Sequence, residues 1–190
     1  MKGVLKTASK FLLLIIFSLI LAGCGSSKTV TQNSNFPQAD LAEQSVRSEI
    51  SSISSSTRTM KAEAVTKVEI IDYGGTEDIP DDKIVFITYN PKSVLDEKDF
   101  VKMSADTIVA VSESLFKHPK VGFVRIWTEG SFSDQYGKQE AIPAVKLGLS
   151  RKTADKIQWD NFKDLVQVDY NKLLDIADEK TIHPAVAKNL

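Results

Sequence analysis

The 190-residue chain has a single cysteine, Cys24, and only two histidines, His118 and His183. One cysteine cannot form an internal disulfide, which excludes a stapled secreted scaffold. Neither Cys-x-x-Cys nor His-x-x-x-His spacing exists, so no zinc motif can be built. The chain also has no G-x-S-x-G elbow and no glycine-rich phosphate loop. An excess of one charge is missing too: 24 Lys and Arg against 25 Asp and Glu leave a net charge of −1. Nothing in that balance makes an electrostatic footprint for nucleic acid. Nine glycines and six prolines are too few for a collagen-like or low-complexity chain. Long apolar runs are equally scarce; there is one.

That run, Phe11 to Leu21, follows a segment carrying Lys2, Lys6 and Lys10 and no acid. Eleven helical residues rise about 16 Å, well short of a hydrocarbon core roughly 30 Å thick. A basic start, a short apolar stretch and small residues at its end are the parts of a secretory signal peptide. The junction Leu21-Ala22-Gly23-Cys24 resembles the lipobox of bacterial lipoproteins. The resemblance covers residues 1–24. It implies diacylglyceryl transfer to the Cys24 sulfur, cleavage between Gly23 and Cys24, and a mature protein exported and lipid-anchored to a bacterial membrane. Two acyl chains, at about 0.8 kcal/mol per buried methylene, anchor stably where one is marginal. Residue 25 is Gly rather than the Asp that commonly marks inner-membrane retention. The Lys-, Ile- and Ser-rich composition favours the cell membrane of a single-membrane bacterium, with the outer membrane as the alternative.

Cleavage removes three lysines and no acid, leaving 167 residues with 21 basic and 25 acidic side chains and a net charge of −4. No polybasic run assists membrane contact, so the lipid is expected to do the anchoring. Gly25 to Gln38 is polar and turn-rich, and reads as a tether. Ala39, Ala42, Val46, Ile50 and Ile53 recur at helical spacing. Serines surround them, and the reading is a marginal helix inside a tether that extends over residues 24–64.

Residues 65–190 read as one globular domain. Alternation and β-branched content predict strands at Val65–Ile71, Ile84–Tyr89, Val121–Thr128 and Gln139–Ser150. The strongest helical pattern is Asp96–Lys117, with acids at its start. A helical turn is expected at Thr153–Ile157, and a helix at Asn161–Asp178 with Phe162, Leu165, Val166, Leu173 and Leu174 inward. Residues 130–138 form a hairpin tip. Pro143 places the fourth strand at an edge or beside a bulge, and the tail beyond Thr181 reads as irregular. The order β-β-α-β-β-α predicts an α+β fold with a single antiparallel sheet of about four strands and helices on one face.

Candidate chemistry is thin. Ser114-x-x-Lys117, Ser133-Asp134-Gln135 and Lys152-Thr153-Ala154 imitate the three motifs of serine penicillin-binding enzymes. Ser114 falls near the end of its helix, away from any helix N-terminus that could stabilise an oxyanion. Glu77, Asp78, Asp81 and Asp82 offer oxygen ligands without a calcium-loop spacing. Asp134 and Tyr136 read as a turn. Trp127, Tyr136 and Trp159 are candidate binding residues, as stacking platforms or interface anchors. The expectation is a non-enzymatic envelope lipoprotein without cofactor or metal, which binds another envelope protein. A small ligand or cell-wall polymer is the alternative, and an unrecognised hydrolase the third reading.

Overall fold

Each of the four predicted strand segments forms a strand, and a fifth strand follows near the C-terminus. The computed structural model describes residues 35–56, 61–91, 96–133 and 135–188, which fall in one compact unit, Ser34–Leu190. The expected signal peptide, Cys24 and Asp134 lie outside the described residues.

Strands β1 (Val65–Asp72), β2 (Lys83–Tyr89), β3 (Val121–Ser133), β4 (Gln139–Ser150) and β5 (Glu179–Ile182) form one sheet in the order β1-β2-β3-β4-β5. Pairs β1–β2, β3–β4 and β4–β5 are antiparallel, but β2 and β3 are parallel. The sheet is therefore mixed, correcting the all-antiparallel expectation. The cause is the helix α2 (Glu97–Leu115) between β2 and β3. A crossover of that length returns the chain to the end where β2 began, so the next strand must run parallel. Asp96 caps α2 by accepting from Asp99 N at 2.8 Å.

The C-terminal tail is not irregular. β5 pairs Val145–Gly148 with Glu179–Ile182, and the short helix α6 (Pro184–Ala187) follows. The expected helix over 161–178 is two helices, α4 (Trp159–Val168) and α5 (Asn171–Ile176). Asp169 divides them: its carboxylate accepts from both the backbone N and the side-chain Nδ2 of Asn171 at 3.0 Å, which holds a turn where the helix would continue. In β4, Thr128 pairs with Val145 and Glu129 with Pro143, so Ala144 is an extra residue beside the proline. This is the bulge that Pro143 announced.

The tether boundary also moves. Helix α1 (Glu43–Ser56) buries Val46 (0 % exposed) and Ile50 (1 %) in the common core, and Phe36 (2 %) joins them from a 3₁₀ turn at Phe36–Gln38. The packed domain starts near residue 34 instead of 65. The serine-rich surroundings concealed this, because one narrow stripe suffices for a helix that touches the core along one line. Ser114 Oγ donates to Glu49 Oε1, a buried contact that ties α1 to α2.

Buried residues of α1, α2, α4, α5 and α6 join Val85, Ile87, Val124, Ile126, Val145, Leu147 and Leu149 in one cluster. By strand alternation these sheet residues share a face, and the helices pack there. Phe86 and Phe123 are buried but lie outside that cluster, on the opposite face.

Candidate functional site

The helix-free sheet face is organised in rows across the strands. Cross-strand pairing aligns Lys67, Thr88, Trp127 and Lys146 in one row, and Glu69, Phe86, Arg125, Gly148 and Glu179 in the next. The Lys146 ammonium stands 4.3 Å from the Trp127 ring centroid, and Phe86 meets that ring edge-on at 4.8 Å. Arg125 donates to Glu179 at 2.6 Å and lies 5.5 Å from the Phe123 ring. These cations roof the aromatics, as expected of long amphipathic side chains over rings. Trp127 Nε1 is buried without a hydrogen-bond partner. Lys146 and Phe86 both contact the half-buried ring.

Trp159 opens α4 on the helix side of the sheet. It stacks on Phe116 with centroids 6.5 Å apart and lines a groove of about 320 Å³ together with Lys117, Arg151 and Ile157. Tyr136 is 85 % exposed at the β3–β4 hairpin tip. The three aromatics thus occupy different parts of the molecule and do not make one platform.

The most open apolar surface lies on α4 and α5. Leu165 is 54 % exposed, Val168 91 % and Ile176 37 %. Leu165 was expected in the core, and helix geometry explains why it is not. Val166 is the buried anchor (1 %), and at about 100° per residue Leu165 falls a quarter-turn away from it, with Val168 nearly opposite. The break at Asp169 then sets α5 so that Leu173 and Leu174 face inward and Ile176 outward. Leu165, Ile176, Ile157 and Phe162 line an open groove of about 690 Å³, with Gln158 and Asn161 on its rim. Nothing in the periodicity separated these outward apolar positions from core ones.

The remaining candidates have structural tasks. Asp82 is buried and accepts from Gly74 N at 2.6 Å and Thr76 N at 2.9 Å, closing the β1–β2 loop. Burial alone would raise its pKa, but hydrogen bonds from the Thr76 hydroxyl and the amides of Gly74, Thr76 and Gly75 hold it below the ordinary carboxylate value. Glu77 and Asp78 are not drawn in with it, and no group of metal-ligating side chains forms among the described residues. Ser114 is buried and engaged with Glu49, whereas Lys117 of the same motif is exposed.

His118 joins the N-terminal segment to the α2–β3 turn. Its Nδ1 accepts from Lys120 N at 3.2 Å, which assigns the proton to Nε2, and Nε2 donates to Ala39 O at 3.0 Å. Phe36 packs against the same ring at 5.5 Å. Arg151 secures that turn from the other side. It donates to Phe116 O at 2.6 Å, His118 O at 2.8 Å and Val121 O at 2.8 Å, an arginine used as a fork on carbonyls at a helix end. Burial pulls its pKa below the usual arginine range, and Asp155 partly opposes this. His183 caps α6 by accepting from Ala185 N at 3.2 Å.

Compared with models of protein families, with curated proteins and with solved structures, the chain matches none.

Proposed function

We propose that this chain is a lipid-anchored envelope protein, held to the membrane through Cys24, whose Ser34–Leu190 unit is a non-enzymatic protein-binding module. The anchor rests on the lysines, apolar run and Leu21-Ala22-Gly23-Cys24 junction of residues 1–24. The binding role rests on the α4–α5 shelf. Three of the five exposed large apolar side chains of the described residues lie on these two helices: Leu165 and Ile176 line the 690 Å³ groove, and Val168, one turn on from Leu165, borders a second groove with Asp169 and Tyr170. Grouped apolar exposure rimmed by polar residues marks an interaction surface, while scattered exposure does not. The separation of Trp127, Tyr136 and Trp159 counts against wall-polymer recognition by joint stacking.

The test is cross-linking capture from intact cells, comparing wild type with Leu165→Glu/Val168→Glu and with Cys24→Ser. The proposal expects one envelope protein, lost in the shelf variant although its unfolding midpoint is unchanged, and depleted when the anchor is removed. Equal capture by the shelf variant would overturn the assignment of the shelf. Absence of any protein partner would move the weight to ligand binding in the Trp159 groove.

A further inference from the structure

The α4–α5 shelf carries charge as well as apolar surface. At about 100° per residue, Asn161, Asp164, Leu165 and Val168 fall on the side of α4 away from Val166, and all four are exposed. Asp160 lies one turn before Asp164, and Asp169 closes the helix. The last turn of α4 has no basic residue, so the negative end of its dipole adds to these carboxylates. The lysines around them are engaged within the chain. Lys163 reaches Glu113 at 3.1 Å and Asp160 at 3.3 Å, and Lys172 stands 3.7 Å from Asp169. Lys180 donates to Leu174 O at 2.8 Å, at the end of α5. Asp164 on α4 and Asp175 on α5 are exposed and form no ion pair among the described residues.

The two grooves differ in charge. The one that Val168 borders, about 520 Å³, is lined by Asp96, Asp99 and Asp169 against Lys98 and Lys102, and Lys102 is bound to Asp106 at 3.0 Å. The 690 Å³ groove has one charged lining residue, Lys156, beside α3 (Arg151–Ala154). There Asp178 accepts from the Thr153 hydroxyl at 3.0 Å. Carboxylates therefore border the exposed stripe of Leu165 and Val168, and a single lysine stands at the α3 end of the groove.

We propose that the partner segment seated on this shelf is a basic amphipathic helix. Its apolar side chains cover Leu165 and Val168 and enter the groove against Phe162 and Ile176, and a lysine or arginine sits over Asp164. The inference rests on the protein-binding reading of the shelf and adds the chemistry of the partner. A groove between helices takes the ridge of a third helix, and the carboxylate border selects the sign of its polar face. Charge also argues against a second copy of this chain as occupant. Two α4 helices packed on the Leu165 and Val168 stripe would set Asp164 against the other copy's Asp169 if antiparallel, and against its Asp164 if parallel. Like charges face each other either way.

The test is fluorescence anisotropy of the purified full chain with two labelled helical peptides, one of Leu and Lys and one of Leu and Glu, sharing the same apolar face. The Leu/Lys peptide should bind at least about tenfold more tightly, by a margin that high salt narrows. Asp164→Lys should weaken that peptide about fivefold. Glu140→Lys, an equal change of net charge at an exposed position of β4, should leave it within about twofold. Leu165→Ser/Val168→Ser, with an unchanged unfolding midpoint, should abolish binding of both peptides. Equal affinities, both lost in the serine variant, would overturn the basic partner and leave the shelf standing. Tighter binding of the Leu/Glu peptide would overturn it in favour of an acidic partner held by Lys156. Binding of neither peptide, or binding indifferent to the serine variant, would overturn it as well. Capture with Leu165→Glu/Val168→Glu decides separately whether the shelf binds a protein at all.

Discussion

Replacing Ile50 with Ala separates a packed α1 from a tether helix. Ile50 is 1 % exposed and sits in the common core with Val46 and Phe36. Truncating a fully buried isoleucine costs about 2 to 5 kcal/mol, through lost transfer energy and a cavity that closes only in part. A midrange value of about 3 kcal/mol lowers the melting temperature of a domain this size by roughly 6 to 12 °C. Urea and thermal unfolding of the purified protein measure both quantities. Ser51→Ala, at an exposed position of the same helix, should stay within about 0.5 kcal/mol of wild type. A loss below about 0.5 kcal/mol for Ile50→Ala would show that α1 does not pack into the common core.

Further outcomes follow from single residues. Arg151→Lys should destabilise by about 2 kcal/mol, because an ammonium cannot fork to three carbonyls and leaves some of them unpaired; the urea midpoint reads this. Asp82→Asn should cost about 2 kcal/mol at neutral pH through lost hydrogen bonds. Because the folded state lowers the Asp82 pKa, its carboxylate stabilises above the unfolded value of about 4, and that stability disappears as pH falls through the folded value. Urea midpoints at neutral and acid pH should therefore show a shallower acid decline for Asp82→Asn than for wild type. Gly137, at φ +79° in the hairpin tip, should lose about 1 kcal/mol on substitution by Ala, measured by thermal unfolding.

Much of the domain was legible because its strands are rich in β-branched and aromatic residues and Asp96–Lys117 carries both an apolar stripe and an N-terminal cap. The parallel β2–β3 pair was legible in principle, since a 19-residue helix between two strands demands a crossover; the β-β-α-β-β-α order by itself suggests one antiparallel sheet instead. β5 escaped notice because Glu-Lys-Thr-Ile has little apolar content, and its pairing with Val145–Gly148 is a tertiary event. The same limit applied to the surfaces. Leu165 repeats at core spacing and faces out, because the position of Val166 and the turn at Asp169 decide which way α4 faces. The contacts of Lys146 and Phe86 with Trp127 come from cross-strand pairing, which the sequence alone does not reveal.

The anchor is the claim on which the account turns, and the intact mass of the protein extracted from the cell envelope tests it most directly. The account predicts an N-terminus at Cys24, heavier by a diacylglyceryl group and unlipidated in Cys24→Ser. A chain retaining residues 1–23, or beginning at Cys24 with a free thiol, would contradict it.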